Sequence, residues 1–462
     1  MRWGSVDDLD RTAKILIDAG RATDPEDARR HLESLILQVD VGPEIAADAA
    51  AQAALATVVN AGRRAYKGGV HVRLAADPVL TTGWTAGTSA SAIVARYGGT
   101  VVPGLVDTLS TLVIGSPMRV VGRPALHLTW NGWAAGVVQH PGDRLNAYGN
   151  PVAGVLGAGV GISEAFQQAL GAVVPGRRDV GLSLWRPDLD WRAPEAAGPT
   201  LEYLPAALWL LGLGHLGQAY GWTLGMLPYA ALWNCQVTLM DFDIVVAGNA
   251  ATQLLTTERD VRRRKTRVVA SALESLGLRT RIVERAFDEH IRVVPHADPN
   301  RDETLLALAG FDDIAPRRQL GGAGFRHVVD AGLGSGPIEY LDMVLHTFPT
   351  TVTPAEAFVE PPPRQRHLGA MYEAEIARQA AEGGDETALR CGMLDLAGVT
   401  VGAAFVGAVA STLVMGDVLR VLHDGESYSV IALDLREPDR LRAVANASPG
   451  DHIPRYIRAR PN

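Results

Sequence analysis

The chain has 462 residues, 47% of them hydrophobic, and a formal net charge of −8 at pH 7. This length predicts two or three globular domains, and the negative charge argues against a nucleic-acid partner held through phosphate contacts. The two cysteines, Cys235 and Cys391, form no CxxC motif, which excludes a disulfide framework and a structural zinc site built from cysteines. The amino terminus mixes acids and bases instead of showing a secretory signal, so we expect a cytoplasmic protein.

The first 195 residues contain short apolar segments separated by glycine and proline. The segments are HVRLAA, AIVARYGG, STLVIGS and ALHLTWNGW, and their pattern predicts a mixed sheet. A helical stretch at 150–171 then matches a later one at 401–422 in its small residues and in the position of an acid after the glycines. This similarity predicts a degenerate repeat of the later α/β unit. The alternative is an unrelated substrate-docking domain.

An apolar run at 206–211 is followed by Gly212, Gly214 and Gly217 at the spacing GxGxxG. The run predicts a buried parallel strand, and the glycines predict a turn that opens a helix. Such a turn lets the backbone approach a phosphate, and the free N–H groups at the helix start favour an anion. Because glycines also form ordinary turns, the pattern alone leaves both a phosphate loop and a plain turn open.

A second predicted strand at 235–240 ends at Asp241, about 20 residues beyond the glycines, where nucleotide-binding proteins place a carboxylate on the ribose. Further on, apolar residues within 261–276 recur at helical spacing, and Lys265 falls inside this stripe. A lysine directed inward near a glycine loop suits a triphosphate. The alternative is a lysine whose stem merely passes along the core.

These residues together resemble the ubiquitin-activating-enzyme superfamily, which includes ThiF, MoeB and HesA. The family pattern is GxGxxG, then DxDxVxxSNLxRQ, then a lysine one helix later. Besides the three glycines, the matching residues are Asp241, Asp243, Val245, Asn249, Gln253 and Lys265. The resemblance covers about 204–345 and returns at 398–422. It implies an α/β protein with a Rossmann-like ThiF adenylation fold, a mainly parallel sheet and a degenerate second α/β half.

On this resemblance the chain divides into four regions. Residues 1–195 are expected to form an inactive adenylation-like half or a docking domain, and 196–345 the ATP-binding adenylation domain. Residues 346–398 would form the crossover loop and cysteine region, and 399–462 the C-terminal helix and strand that complete the adenylation fold. The uncharged stretch at 396–415 is too rich in glycine and alanine to predict a membrane span, and it suits a buried helix instead.

The activity that the resemblance implies is adenylation by Mg-ATP of the C-terminal carboxylate of a ubiquitin-like or sulfur-carrier protein. Asp241 would hold the ribose, and Asn249 and Lys265 the phosphates. Asp243 and Gln253 would complete the nucleotide site beside the glycines.

Cys391 is the candidate acceptor of the activated acyl group as a thioester, since it follows a polar tract and adjoins Arg390. A nearby positive charge lowers the pKa of a thiol and so favours the nucleophilic thiolate. The resemblance implies transfer from this cysteine to a ubiquitin-conjugating-enzyme-like partner. An unreactive packing cysteine is the alternative, and Cys235 is predicted to be a buried hydrophobe.

Three positions depart from the family pattern. Thr252 stands in place of an arginine, Gly248 in place of a serine, and the later DxxDN motif is read at 330–334, where Leu333 replaces the magnesium aspartate. We therefore expect Asp330 or Asp243 to bind Mg²⁺, unless the site has lost ATP turnover. The family often adds one arginine from a partner subunit or half. The unranked candidates include Arg11, Arg21, Arg29 and Arg30.

The leading hypothesis is an activating enzyme for a ubiquitin-like protein, like those of compact bacterial conjugation systems, including systems used in antiviral defence. One alternative is an adenylyltransferase that acts on a sulfur carrier or a peptide without a thioester, and another is a catalytically dead scaffold. A nicotinamide oxidoreductase would explain the glycines and Asp241 but not Asn249, Gln253 or Lys265. A homodimer is expected on general grounds, because symmetric dimers are the commonest oligomers.

Overall fold

The computed structural model describes residues 10–107, 109–116, 125–145, 147–293, 305–334, 336–359, 370–382, 385–386, 389–390, 393–394, 397, 400–451 and 453–460. Two β-sheets with flanking helices make up this part of the chain, which confirms the predicted α/β class. The helices are α1 (Arg11–Asp18), α2 (Pro25–Ser34), α3 (Ala49–Ala65), α4 (Ala90–Arg96), α5 (Pro151–Ala169), α6 (His215–Leu224), α7 (Lys265–Ser275), α8 (Ile314–Arg318), α9 (Pro354–Ala357), α10 (Ala370–Ala381) and α11 (Ala404–Leu422).

The first sheet is formed by β1 (Leu37–Val41), β2 (Val70–Leu74), β3 (Thr100–Val101), β4 (Thr111–Ile114), β5 (Ala125–Asn131), β6 (Ala134–Val138) and β7 (Val180–Ser183). Its spatial order is β3-β2-β1-β4-β5-β6-β7. The strands from β3 to β5 are parallel, and β6 and β7 continue the sheet in antiparallel pairing.

The second sheet is formed by β9 (Ala207–Leu211), β10 (Gln236–Met240), β11 (Arg279–Val283), β12 (Leu306–Ala309), β13 (His327–Leu333), β14 (Asp342–Phe348), β15 (Tyr428–Asp434) and β16 (Arg442–Ala445). Its order is β11-β10-β9-β12-β13-β14-β15-β16. A separate pair joins β8 (Tyr203–Pro205) to β17 (Tyr456–Arg458). The two large sheets share one arrangement: five parallel strands in the doubly wound order 3-2-1-4-5, extended by antiparallel strands.

Burial explains why the predicted central strands form. Both β9 and β12 are buried at every position, as expected for parallel strands covered by helices on both faces. The predicted strand at 235–240 is β10, and the alternating segment near the carboxyl terminus is β15. Three of the four apolar segments in the first 195 residues also contain strands, namely β2, β4 and β5.

The expectation of a strand at AIVARYGG is wrong, because this segment lies mainly in α4 and the turn that follows it. Ser89 caps the helix by accepting a hydrogen bond from the backbone N–H of Ala92. Ile93 and Val94 are buried while Ala95 and Arg96 are exposed, a pattern that a single helical turn satisfies as well as a strand does. Short apolar runs do not distinguish the two by periodicity.

The two small-residue stretches form helices that pack against each other. Helices α5 and α11 have 19 residues each. At Gly159 an added Cβ would lie 2.6 Å from Cγ2 of Val409, so the glycine permits the close approach. Each helix carries its buried acid at the same position along its length, and each acid pairs with an arginine: Glu164 with Arg178 at 2.6 Å and Asp417 with Arg420 at 2.7 Å.

Helix α11 belongs to the core. Among the described residues it is the one helix long and apolar enough to cross a membrane, and 94% of its most apolar window is buried inside the protein. This burial confirms the prediction of a closely packed core helix in this part of the chain.

Candidate functional site

The glycine loop lies where β9 ends, at the switch point where the chain continues on opposite sides of the sheet through β10 and β12. Gly212 has φ of +77°, which favours glycine. At Gly217 an added Cβ would lie 1.9 Å from the carbonyl oxygen of Gly212, so only glycine lets α6 start against the strand. Gly214 meets no atom within 4 Å and faces open space. The loop therefore leaves room for a ligand at the start of α6.

Asp241 holds the glycine loop and the following segment in place. Its Oδ2 accepts a hydrogen bond from the backbone N–H of Leu213 at 2.6 Å, and its Oδ1 accepts one from Asp243 at 2.7 Å. The side chain is 9% exposed at the cleft. A carboxylate oxygen accepts more than one hydrogen bond, so both oxygens keep capacity for ribose hydroxyls.

Lys265 reaches the cleft from the first residue of α7. Its Nζ lies 2.6 Å from Oδ2 of Asp243, whose side chain is 47% exposed. Lys265 is buried on the same helical face as Val268 and Val269, but it lies at the start of the predicted stripe instead of inside it. The helix begins at this residue, after a turn in which Arg262 has φ of +71°. A cation at a helix amino terminus opposes the helix dipole by about 0.3–1 kcal/mol, so helix stability does not explain this lysine.

The side-chain oxygens of Asn249 and Gln253 accept hydrogen bonds from different partners. Asn249 lies in the turn Ala247–Ala251 and accepts from the N–H of Val246 at 3.1 Å. Gln253 is 3% exposed, and its Oε1 accepts from Gln218 at 2.8 Å and from Thr256 at 3.1 Å. The side-chain oxygen of Gln253 is thus engaged inside the protein, where it ties the loop to α6.

The structure ranks the four amino-terminal arginines. Arg11 is the first residue of α1, donates to Thr400 at 3.1 Å, and is close enough to lower the pKa of the Asp312 carboxyl group. The other three are engaged at the surface elsewhere: Arg21 donates to the carbonyl of Leu170, Arg29 pairs with Glu33, and Arg30 pairs with Asp27. Of these four candidates, Arg11 is therefore the one that lies near the cleft.

Asp312 is the site residue that the sequence reasoning missed. It lies just beyond β12, and its side chain has an exposed surface. Desolvation raises the pKa of its carboxyl group, Arg11 and Lys265 lower it, and Asp241 is among the acids that raise it. These influences place Asp312 beside the other cleft residues. In Ala309-Gly310-Phe311-Asp312-Asp313 it holds the second aspartate position of DxxDN, directly after a buried apolar run.

The prediction that Asp330 binds the metal is not supported by its surroundings. Asp330 is fully buried in β13, and the Arg317 guanidinium donates to both carboxylate oxygens. Burial raises its pKa to about 6, against the opposing effect of Arg317. In the described part of the chain no group of three or more His, Cys, Asp or Glu residues could hold a metal ion. A metal here would rely on few protein carboxylates together with substrate phosphates, which is the usual arrangement for Mg²⁺.

Of the two cysteines, Cys391 lies outside the described residues. Arg390 beside it pairs with Glu373 at 2.8 Å, so this guanidinium is already matched by an acid. Cys235 is fully buried, and burial raises the pKa of its thiol to about 12. The prediction that Cys235 is a buried hydrophobe is confirmed.

Comparison with known sequences agrees with this two-part organisation. Residues 36–184 match the family model described as the BilD N-terminal domain, and residues 204–425 match the BilD C-terminal domain. The bacterial E1-like protein BilD of Collimonas sp. (strain OK412) is 37% identical over 429 residues, which cover 92% of this chain and 90% of that protein.

Solved structures with partial similarity include two Escherichia coli enzymes. MccB, crystallised with AMPCPP and MccA, is 15% identical with a TM-score of 0.31, and the match covers 53% of this chain and 65% of that one. TcdA, the tRNA N6-threonylcarbamoyladenosine dehydratase crystallised with ATP, is 19% identical with a TM-score of 0.20, covering 25% and 45%. The chain thus spans 65% and 45% of these two proteins.

The E1-like description of the Collimonas relative agrees with the predicted resemblance to ubiquitin-activating enzymes. The doubly wound order of the second sheet agrees with the predicted Rossmann-like fold. On 37% identity across nine-tenths of both proteins and two matching domain models, the chain belongs to the bacterial E1-like BilD family.

Proposed function

We propose that the protein adenylates the C-terminal carboxylate of a ubiquitin-like protein at the cleft above β9, β10 and β12. The observation that carries the proposal is the convergence at one cleft of a glycine loop, a ribose-type carboxylate and two cations, Lys265 and Arg11. An oxidoreductase site would need no such pair of cations. The name of the Collimonas relative, an E1-like protein, supports the same class of reaction.

In this proposal the ATP ribose binds Asp241, and the phosphates lie over the glycine loop at the amino terminus of α6. A substrate carboxylate oxygen attacks the α-phosphorus, the bond from that phosphorus to the bridging oxygen breaks, and pyrophosphate leaves. Lys265 exchanges Asp243 for a phosphate, and together with Arg11 it offsets the charge that develops on the phosphate oxygens. Asn249 completes the phosphate side of the cleft.

Mg²⁺ fits this donor set at Asp312, with Asp243 available once Lys265 turns to the phosphates. Carboxylate and phosphate oxygens are the ligands that Mg²⁺ prefers, and the ion would supply further charge neutralisation for pyrophosphate departure. The Asp312 side chain has an exposed surface and so is open to an ion in the cleft.

We propose further that the first unit binds no nucleotide. At the end of β1, the position equivalent to the glycine loop, the chain continues through Gly42 and Pro43 to Glu44. Glu44 and Asp48 line a cavity of about 310 Å³ at the same edge of the first sheet. Two acids at the place of the phosphate loop would repel a triphosphate, so this unit supports the second one, for example through Arg11 and α1.

After adenylation, the Cys391 thiolate would attack the acyl carbon and release AMP, which leaves the modifier as a thioester for a ubiquitin-conjugating-enzyme-like partner. The E1-like family supports such a step, since the reaction needs a nucleophile after activation. Without it, the protein would act as an adenylyltransferase that hands over the adenylate directly.

The proposed function is tested by ATP–pyrophosphate exchange with a panel of ubiquitin-like and sulfur-carrier proteins ending in Gly-Gly. We expect exchange with one ubiquitin-like protein, unchanged in Cys391→Ala, and a thiol-sensitive adduct on non-reducing gels that Cys391→Ala loses. An adduct that persists in Cys391→Ala would remove the thioester role. Exchange with no carrier at all would contradict the proposed substrate class.

If Asp312 binds Mg²⁺, its replacement should change the Mg²⁺ concentration that exchange requires. Asp312→Asn is expected to raise the Mg²⁺ concentration for half-maximal exchange by about tenfold or more, because one direct carboxylate ligand is lost. Asp313→Asn is the matched control and should stay within about twofold, since it removes the same charge from the adjacent position. Equal Mg²⁺ dependence in the two variants would exclude Asp312 as the ligand.

A further inference from the structure

A second cavity, distinct from the nucleotide cleft, lies between the two units. It has a volume of about 620 Å³ and is lined by parts of α3, α4, α6 and α7 and by the chain at 254–257. The nucleotide cleft lies at the amino-terminal ends of α6 and α7, whereas this cavity is lined by residues near their carboxyl ends, including Trp222 and Leu276. Its size is within the range of small-molecule sites, which often occur at domain interfaces.

Positive charge is concentrated on the wall of this cavity. Three arginines line it, namely Arg63, Arg64 and Arg96, and among the described lining residues there is no Asp or Glu. Arg64 is 3% exposed, and burial together with the charge of Arg63 lowers its pKa to about 9. Glu258, which does not line the cavity, is close enough to raise the pKa of Arg63 and so offsets part of this charge. Burial of the remaining charge is costly, and an anion inside the cavity would lower that cost.

Among these three arginines, Arg64 is the one whose guanidinium nitrogens all donate hydrogen bonds within the protein. Arg64 donates to the carbonyl oxygens of Leu254 at 3.3 Å and Thr256 at 3.1 Å, so it holds the loop that follows Gln253. Arg63 differs, because its buried Nε has no hydrogen-bond partner. Arg96 donates to the carbonyl oxygen of Trp84 and to the hydroxyl of Thr88. Arg63 makes no hydrogen bond to the described residues through its terminal nitrogens either, so these are available to a ligand oxygen in the cavity.

Most of the remaining wall is apolar. The second unit contributes four leucines and Trp222, and the first unit contributes Trp84 and Tyr97. Trp84 stacks on Trp222 with ring centroids 5.6 Å apart. A few charged groups set in an apolar wall fix the orientation of a ligand that has one charged end. A fully inorganic anion would leave most of this volume unfilled.

We propose that this cavity binds a small organic anion, with its phosphate or carboxylate group at Arg63 and Arg96, beside the buried charge of Arg64, and its apolar body against the leucines and Tyr97. A ligand of this kind supplies oxygen acceptors to the terminal nitrogens of Arg63. It also neutralises a charge cluster that no lining residue balances.

The test is isothermal titration of the full chain with 1-naphthyl phosphate and 1-naphthoate, which share the apolar body and differ in the anionic group. We expect one-to-one binding of at least one probe, weakened about tenfold or more by Arg63→Gln and by Arg96→Gln, since a hydrogen bond to a charged group contributes roughly that factor. Arg29→Gln, on the outer surface of α2, is the matched control and should bind as the wild type does.

Two further measurements distinguish binding in this cavity from binding in the nucleotide cleft. Binding should persist in Lys265→Ala, and the neutral probe 1-naphthalenemethanol should bind at least about tenfold more weakly because it lacks the charge. Binding of neither anionic probe, binding unaffected by Arg63→Gln, or binding lost in Lys265→Ala would each overturn the proposal. None of these results depends on whether the protein adenylates a substrate.

Discussion

Replacing Lys265 by alanine is expected to lower kcat/KM for ATP–pyrophosphate exchange by about 100-fold or more. Removal of one pre-positioned group that stabilises transition-state charge typically has an effect of this size. Lys265 starts α7 at the edge of the cleft, where its charge opposes the helix dipole and where an exposed carboxylate, Asp243, is its partner. A phosphate would replace that partner and bind more strongly than a half-exposed acid does.

The matched control is Arg267→Ala, which removes a cation from the same helix. Arg267 is 64% exposed and pairs with Glu284 away from the cleft, so its removal should change exchange by less than about twofold. Both variants should unfold at the wild-type temperature, because the two ion pairs are partly exposed. Equal losses in the two variants would show that general positive charge, instead of the position of Lys265, supports exchange.

Replacing Gly217 by alanine is expected to destabilise the protein by about 3 kcal/mol or more. The new methyl group would lie 1.9 Å from the carbonyl oxygen of Gly212. Neither group can move easily, because α6 fixes the position of residue 217 and β9 ends directly before Gly212. Overpacking of this kind forces shifts of the backbone, which cost about 1–3 kcal/mol in ordinary cores and more where no side chain can yield. The measurement is the urea midpoint at an unchanged slope.

Gly214→Ala provides the comparison within the same loop. Its added methyl group meets no atom within 4 Å, and its φ is −79°, which any residue adopts. The free energy of unfolding should therefore stay within about 0.5 kcal/mol of the wild type. If Gly217→Ala had the same midpoint as Gly214→Ala, the close approach of α6 to the strand would not limit stability.

The sequence alone was sufficient to predict the central strands and the glycine loop. The parallel strand β9 is apolar throughout and β10 is mostly apolar. A turn that brings a helix back against its strand needs glycine at fixed spacing. The buried ion pairs and the ends of the helices were harder to predict from the sequence. The start of α7 at Lys265 depends on the left-handed turn at Arg262, a conformation that nothing in the residue pattern indicates.

Asp312 shows why the site itself was only partly predictable. Asp330 fits the first position of the DxxDN motif at β13, whereas at β12 that position is Ala309. Which of the two strands ends beside the glycine loop depends on the order of strands in the sheet. That order places β12 next to β9, and β13 one strand further away. A buried apolar run followed by paired acids, 305–313, was the available signal.

The shared strand order of the two sheets has a consequence for how this protein can vary. In a symmetric dimer of one unit, every substitution occurs at both equivalent positions, so a residue that harms one site harms both. A single chain that carries both units escapes this constraint. Glu44 can occupy the edge of the first sheet while Gly214 keeps the corresponding edge of the second open. Covalent linkage also keeps the units at a fixed ratio, so α1 always accompanies the cleft that it adjoins.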